Sequence, residues 1–351
     1  MAKSAGGVVF ERVTKRYGDV TAVDDVSFRV APGELATLLG PSGCGKTTTL
    51  RMVAGLEPVS SGRILIGDID VTMRAANERD VSMVFQSYAL FPHMTVLQNV
   101  CYGPLSTGVD KARSRELAQA KLVMLGLTGL EQRLPSELSG GQQQRVAVAR
   151  SLVLEPSVLL FDEPLSNLDA KLRRRVRQEI RDLQQALALT VIYVTHDQEE
   201  ALAVSDHIIV MDSGRIAQQG TPSDLYDAPA TRFLADFIGD ANLVDGELVA
   251  DSGGATFSAG GVGAAVRADG LASGPVTLAL RPHRLHVVGP GQGLLPGVCK
   301  RAAYLGSRIE YVVSTAWGDL LVFDTEARTP RAHDEPLSLT FDKEAAIVLR
   351  R

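Results

Sequence analysis

Cysteine is scarce. Cys44, Cys101 and Cys299 are the only three in 351 residues, far apart and without a C-x-x-C pair. That argues against a disulfide scaffold and against a cysteine-rich zinc site. A basic excess is missing too: 36 Lys and Arg face 41 Asp and Glu, a net charge of −5, which speaks against a generic nucleic-acid binder. No run approaches the roughly 20 apolar residues that cross a bilayer. The opening residues MAKSAGGVVFERV hold no apolar stretch of the secretory-signal kind. Long repeats and heptad arrays are absent. What is present is 45% apolar and 22% charged residues, enough for a core and too little charge for a disordered chain. The length is more than twice the ~150 residues of a one-domain prior. The expectation is a soluble, cytosolic, two-domain protein with no membrane span of its own.

The texture changes near residue 240. Residues 1–240 alternate apolar strands with helices. Glu34–Leu39 reads as a strand, Lys46–Ala54 as a helix stopped by Gly55, and Ser157–Phe161 and Thr190–Thr195 as buried strands. Leu168, Leu172, Val176, Ile180, Leu183 and Leu187 form one apolar stripe on a long helix. Uniformly apolar strands separated by helices predict a parallel sheet covered on both faces. Thr221 and Pro222 mark a further helix start. Residues 241–351 open with the Gly/Ala/Ser-rich stretch 252–265. Short β-like runs follow, Val276–Leu280, Leu285–Val288, Ile309–Val313 and Leu320–Phe323, separated by Gly and Pro. That pattern predicts a small all-β domain.

Gly40-Pro-Ser42-Gly43-Cys44-Gly45-Lys46-Thr47 fits G-x-x-x-x-G-K-[ST], and it sits between a strand and a helix, as a phosphate loop must. Glycines let backbone N–H groups curl round an anion, and the helix N-terminus adds its positive end. Lys46 would reach the outer phosphates, and the Thr47 hydroxyl would ligate Mg²⁺. The strand Val158–Phe161 ends in Asp162-Glu163-Pro164. A parallel strand ends where ligands bind, so Asp162 would hold Mg²⁺ and Glu163 would polarise the attacking water. A third motif, Leu138-Ser139-Gly140-Gly141-Gln142, opens a helix that runs to about Leu154. It makes a second anion-binding helix end. One phosphate loop cannot account for two such ends, so this one is expected to serve a nucleotide held by another copy of the chain.

At this point the sequence resembles the ATP-binding cassette family over roughly residues 8–240. Tyr17 matches the family's adenine-stacking aromatic, and Gly40–Thr48 its Walker A loop, so that Thr48 joins the nucleotide set. Gln86, in VFQSYALFPHM, stands at the Q-loop position, Leu138–Gln142 at the signature, and Asp162 and Glu163 close Walker B. Ser166-Asn-Leu-Asp169 matches the D-loop, and His196, in VTHDQEEA, the switch histidine. The resemblance implies a P-loop α/β ATPase domain with a helical subdomain at about 87–155. It implies ATP and Mg²⁺ as cofactors and a head-to-tail homodimer. Each ATP would lie between Lys46 of one copy and Ser139–Gly141 of the other. Glu163 would be the general base and His196 would hold the γ-phosphate. Gln86 would touch Mg²⁺ and relay the nucleotide state to a partner, and Asp169 would couple the two sites.

Only 51 residues separate Gln86 from Leu138, too few for the coiled coils of repair ATPases. A single signature is unlike the two-cassette translation factors, and no fused membrane domain is present. The resemblance therefore implies the stand-alone ATPase of an importer, peripheral at the cytoplasmic face of the cell membrane. Its partners would be two transmembrane permease subunits, met through a groove near Gln86–Val100, and indirectly an extracytoplasmic solute-binding protein. No nucleic-acid partner is expected. The contrasting reading is a soluble cassette ATPase acting on nucleic acid or ribosomes. Residues 241–351, with LALRPHRL and AAYLGSRIEY, resemble the oligonucleotide-fold-like domain that follows many import cassettes, although His283 stands where the family often has Glu. The motif wording is similar to ferric-iron importers, with sugar-phosphate, polyamine and phosphonate importers as alternatives.

Three smaller expectations concern single residues. Arg173-Arg174-Arg175 lies opposite the apolar stripe and is expected to face solvent. His283, His286 and Cys299 have no compact metal-ligand spacing. Cys44, near a helix N-terminus, is expected to have a lowered thiol pKa.

Overall fold

The computed structural model describes residues 6–166, 168–251, 254–267 and 270–351. Asn167 of the D-loop motif and residues 252 and 253 of the glycine-rich stretch fall outside them. The chain divides into two compact units, residues 1–222 and 223–351.

The first unit runs β1 (Val8–Tyr17), β2 (Val20–Val30), β3 (Leu35–Leu39), α1 (Lys46–Ala54), β4 (Ser61–Ile66), β5 (Ile69–Asp70), β6 (Val81–Val84), α2 (Val96–Ser106), α3 (Lys111–Met124), α4 (Gly140–Leu152), β7 (Val158–Asp162), α5 (Ala170–Leu187), β8 (Thr190–Thr195), α6 (Gln198–Val204), β9 (His207–Asp212) and β10 (Arg215–Gly220). Six strands form one sheet in the order β10-β9-β3-β8-β7-β6. All but β10 are parallel. The uniform apolarity of these strands has a direct cause, since successive side chains point to opposite faces. Ala36, Leu38, Val158, Leu160, Ile192 and Val194 face one core, shared with Leu50 and Val53 of α1. Leu35, Leu159, Phe161, Val191 and Tyr193 face another, shared with Val148 of α4 and Val176 and Ile180 of α5. The stripe on α5 packs there as expected, except that Leu187 is exposed.

An antiparallel sheet, β2-β1-β4-β5, was not anticipated. Its inner residues, among them Val8, Phe10, Val26 and Ile64, join the α1 core, with the Phe10 and Phe28 rings stacked at 4.4 Å. The helices α2, α3 and α4 close a satellite core around Val100, Leu122 and Val146. They occupy the stretch assigned above to a helical insert. Capping follows the sequence. Thr95 and Ser139 each start their helix with a capping box, and Asp110 and Asp169 accept from the first-turn N–H groups.

Among its described residues the second unit holds α7 (Pro222–Asp227, its first residue at the seam), α8 (Arg232–Phe237) and ten strands: β11 (Asn242–Asp251), β12 (Gly254–Ala259), β13 (Val262–Val266), β14 (Gly274–Leu280), β15 (His286–Val288), β16 (Leu295–Tyr304), β17 (Ile309–Thr315), β18 (Gly318–Asp324), β19 (Pro336–Thr340) and β20 (Ala346–Arg350). They form two antiparallel five-stranded sheets, β13-β12-β11-β14-β20 and β15-β19-β16-β17-β18. Both contribute to one core containing Phe257, Leu278, Tyr311 and Trp317. Asn242 ties the sheets together. Its amide donates to the Leu280 and Leu321 carbonyls and its carbonyl oxygen accepts from the Leu321 N–H at 2.7 Å.

The division between units comes earlier than the boundary at residue 240 because of Arg281. This residue is 1% exposed at the end of β14. Its guanidinium donates to the carbonyls of Tyr226 and Ala235 and of Gly239, each at 2.8 Å, and lies 4.2 Å over the Tyr226 ring. The cation thus binds α7 and α8 into the β unit. The Tyr226 hydroxyl also meets His283 Nδ1 at 3.4 Å. Among the described residues no cluster of His, Cys, Asp and Glu is arranged to hold a metal ion.

Candidate active site

The C-terminal ends of the parallel strands carry the predicted residues. Between β3 and α1 the chain turns through Gly40–Gly45. Gly45 caps α1 with φ 104°, and a Cβ there would lie 2.6 Å from the Ala22 carbonyl oxygen. A Cβ on Gly40 would run into the Met211 carbonyl and the Cys44 sulfur. Only glycine allows this tight curl. Ser42 and Gly43 are exposed at the tip of the loop. Lys46, 5% exposed, folds back so that its ammonium donates to the carbonyls of Gly40 at 2.7 Å and Pro41 at 2.9 Å. At the far end of α1, the buried Arg79 donates to the Met52 and Val53 carbonyls, which places a cation at the negative end of the helix.

The Thr47 hydroxyl lies 3.3 Å from Asp162 Oδ1 at the end of β7. Asp162 is 8% exposed. Burial pushes its carboxyl pKa up, while the Thr47 hydroxyl and the charges of Arg51 and Lys46 pull part of the way back against Glu163. A hydroxyl and a buried carboxylate side by side are hard oxygen donors of the kind Mg²⁺ takes, so these residues fit the ion.

Glu163 follows with φ 44°, a left-handed conformation that costs a side-chain-bearing residue about 1–2 kcal/mol. Its N–H bonds to the Val194 carbonyl of β8, and its Oε2 lies 3.2 Å from His196 Nδ1. The His196 side chain is largely exposed just beyond β8. Gln86 leaves β6 on the same edge. Its amide donates to Ser166 Oγ at 3.2 Å, and Ser166 Oγ reaches the Glu163 carbonyl at 3.1 Å. The structure thus brings Lys46, Thr47, Asp162, Glu163, His196 and Gln86 to one strand edge. Tyr17 ends β1, and burial, with Glu57 nearby, raises its hydroxyl pKa. Lys15 lies 4.6 Å over its ring.

The signature lies on α4. Ser139 and Gln142 bond to each other, while a Cβ on Gly140 would lie 3.1 Å from Leu168 and one on Gly141 3.2 Å from Leu172, closer than ordinary contact. Asp169 caps α5 through the N–H groups of Lys171 and Leu172.

Two expectations are corrected here. The Cys44 thiol is buried, and burial raises its pKa more than the Lys46 charge lowers it. Arg173 does not face solvent freely. Its guanidinium donates to the Leu168 carbonyl and pairs with Asp197, beside His196, and with the buried Glu200. Arg174 and Arg175 are exposed as expected. Ser166 belongs to the D-loop motif, but its bridge from Gln86 to the Glu163 carbonyl was not foreseen, and Arg173 is a site neighbour that no motif assigned. The only signal for Arg173 is its place on the stripe-flanking face near the helix N-terminus.

The chain is similar to several known proteins. The ABC transporter family matches residues 23–166 and the TOBE domain family residues 278–349. The Fe(3+) ions import ATP-binding protein FbpC of Agrobacterium fabrum is 58% identical over 337 residues, covering 96% of this chain and 96% of that one. FbpC 1 of Rhizobium meliloti is 56% identical over 345 residues, 98% of each. Among solved structures, the dimeric bacterial ABC transporter cassette MJ0796 is 30% identical with a TM-score of 0.55, over 61% of this chain and 98% of that one. The cbiO1 protein of Clostridium perfringens, part of the ABC transporter complex cbiONQ, is 29% identical with a TM-score of 0.58, over 62% and 89%.

Proposed function

The chain belongs to the ABC transporter family, and from that premise we propose how its residues divide the work and what it carries. It is the ATP-hydrolysing subunit of an importer. The observation that carries the reading is the placement of Glu163 beside His196 and one residue beyond the Thr47–Asp162 pair.

In the proposed cycle the triphosphate lies in the Gly40–Thr48 loop. Lys46 exchanges its two loop carbonyls for phosphate oxygens, and Tyr17 offers a half-exposed ring for the adenine. Glu163 accepts the proton of the attacking water as the new P–O bond forms and the bond to the β-phosphate oxygen breaks, releasing ADP and phosphate. His196 bonds the γ-phosphate and holds the line of attack. Gln86 orients the water side of the site through Ser166. Mg²⁺, held by Thr47 and Asp162, would neutralise charge on the β- and γ-phosphates.

A second copy would complete each site with Ser139, Gly140, Gly141 and Gln142, while Asp169 keeps α5 in register. Support comes from the MJ0796 cassette, whose solved structure is dimeric, and from the exposed position of Ser139 at the N-terminus of α4. Two permease subunits would dock on the groove between α2 and α3, about 420 Å³ and lined by His93, Leu97, Tyr102 and Arg115 among others. No described helix is long and apolar enough to cross a membrane, and in the proposed assembly the path across the bilayer is the permease's. The cytoplasmic membrane face is the proposed location. The proposed cargo is ferric iron, supported by relatives that are named as Fe(3+) importers and align over nearly the whole chain.

The test is capture of the Glu163→Gln chain with ATP from detergent-solubilised membranes. Recovery of a polytopic permease, with an associated binding protein that retains ferric iron, is the expected result. Recovery of ribosomes or nucleic acid without membrane protein would overturn the importer assignment, and a binding protein selective for a sugar phosphate, polyamine or phosphonate would overturn the cargo.

A further inference from the structure

Two residues after Gln86 the backbone does something unusual. Tyr88 has φ 61° and Ala89 has φ 48°, two successive left-handed residues, neither of them glycine. Side-chain-bearing residues avoid this region, and they stay there only where the surroundings force them. The force here comes from one cation. Arg150, near the end of α4, donates through Nη1 to the Ala89 carbonyl at 2.7 Å and through Nη2 to the Tyr88 carbonyl at 3.1 Å. The fork of the guanidinium thus holds both strained peptides at once, as a planar pair of donors can.

The clamp has a second side. The Arg150 guanidinium lies 5.6 Å from the Phe91 ring, which packs 4.7 Å from Tyr102 and 6.2 Å from His93. Tyr102 and His93 line the groove between α2 and α3. Asn99 of α2 fixes Phe91 by accepting from its N–H at 2.9 Å and donating to its carbonyl at 3.2 Å. The groove wall, the strained turn and α4 are therefore joined through Arg150, and α4 begins at the Ser139 cap.

We propose that Arg150 is a positioning residue that makes the turn after Gln86 and the signature helix move as one body, so that a partner seated in the groove is felt at Ser139–Gly141. This rests on the groove being the permease dock. Arg150 touches no reacting atom. Its contribution is the pair of hydrogen bonds that ties the left-handed turn to α4. A glycine at position 89 adopts the same φ without penalty, so it relieves the strain of the turn but does not replace those two bonds.

The experiment compares wild type, Arg150→Met, Arg150→Lys and the double change Arg150→Met with Ala89→Gly. Each is assayed as isolated protein and after reconstitution in lipid nanodiscs with the membrane subunits that co-purify with wild type. For Arg150→Met, KM and turnover of the isolated protein should stay within about threefold, while stimulation by the membrane subunits should fall about tenfold. Arg150→Lys should restore part of the stimulation, and the glycine double change, which relieves the turn without rebuilding the tie to α4, should restore little. Should Arg150→Met fail to fold, Arg150→Lys with and without Ala89→Gly gives the same comparison. Full stimulation of Arg150→Met, or recovery of the stimulation when glycine at 89 is added to Arg150→Met, overturns the inference. A wild-type chain that binds no membrane subunit overturns the importer reading instead, and this inference with it.

Discussion

His196 Nδ1 lies 3.2 Å from Glu163 Oε2, so the fold itself sets the proposed general base beside the histidine proposed to hold the γ-phosphate. Glu163 accepts this contact from a left-handed backbone anchored to Val194, and His196 makes it from a largely exposed position. The proposed base is oriented by the fold, and the histidine proposed to meet the phosphate sits at an exposed position.

Glu163→Gln should therefore lower ATP turnover by about 10²–10⁴-fold while nucleotide still binds. Single-turnover hydrolysis and fluorescent-nucleotide titration separate the two effects, and an unchanged turnover would remove Glu163 from its role. His196→Ala should act in the same direction and leave the melting temperature within a few degrees.

Asp162 makes a pH-dependent prediction. Burial holds its carboxyl pKa above the unfolded value, so ionising it costs the folded state. The destabilisation begins as pH rises past the unfolded value of about 3.9 and is complete above the raised native value. Asp162→Asn should stabilise the nucleotide-free protein at pH 7 and lose that advantage near pH 4. It should also abolish the stabilisation given by ATP with Mg²⁺. Thermal melts across pH, with and without MgATP, read both.

Cys44 should resist alkylation in the native protein. It is buried and its thiol pKa is raised, and the thiolate is the reactive form. Labelling by a maleimide at pH 7 should be much slower than after unfolding. Rapid labelling with loss of ATP binding would contradict the buried placement.

Arg281→Ala should strip the donors from four carbonyls, those of Tyr226, Ala235, Gly239 and Asp240, and leave a cavity against Tyr226. We expect a loss of about 2–4 kcal/mol in the stability of the second unit, measured by denaturant unfolding. Nucleotide binding at Lys46 should survive it.

Much of the site could be read from the sequence because its residues come in contiguous runs tied to strand ends. Gly40–Thr48, Asp162-Glu163 and Ser139–Gln142 each need only a few neighbours in sequence to be recognised. The antiparallel sheet escaped for a physical reason. Bulges between Phe10 and Val13, and between Glu11 and Thr14, shift β1 out of strict alternation. The left-handed turns at Tyr88, Ala89 and Glu163 carry no glycine to announce them. Arg173 looked solvated because its partners, Asp197 and Glu200, come from a distant helix, and only folding sets them beside it.

The hold of Arg281 on α7 and α8 has a consequence for modular exchange. A β unit transplanted between relatives with the seam cut at residue 240 would leave behind the carbonyls of Tyr226, Ala235 and Gly239. The graft would arrive with a bare guanidinium in its interior. Cut between Pro222 and Ser223, the same graft travels with its own lock and key, and recombination in nature or at the bench should favour that seam.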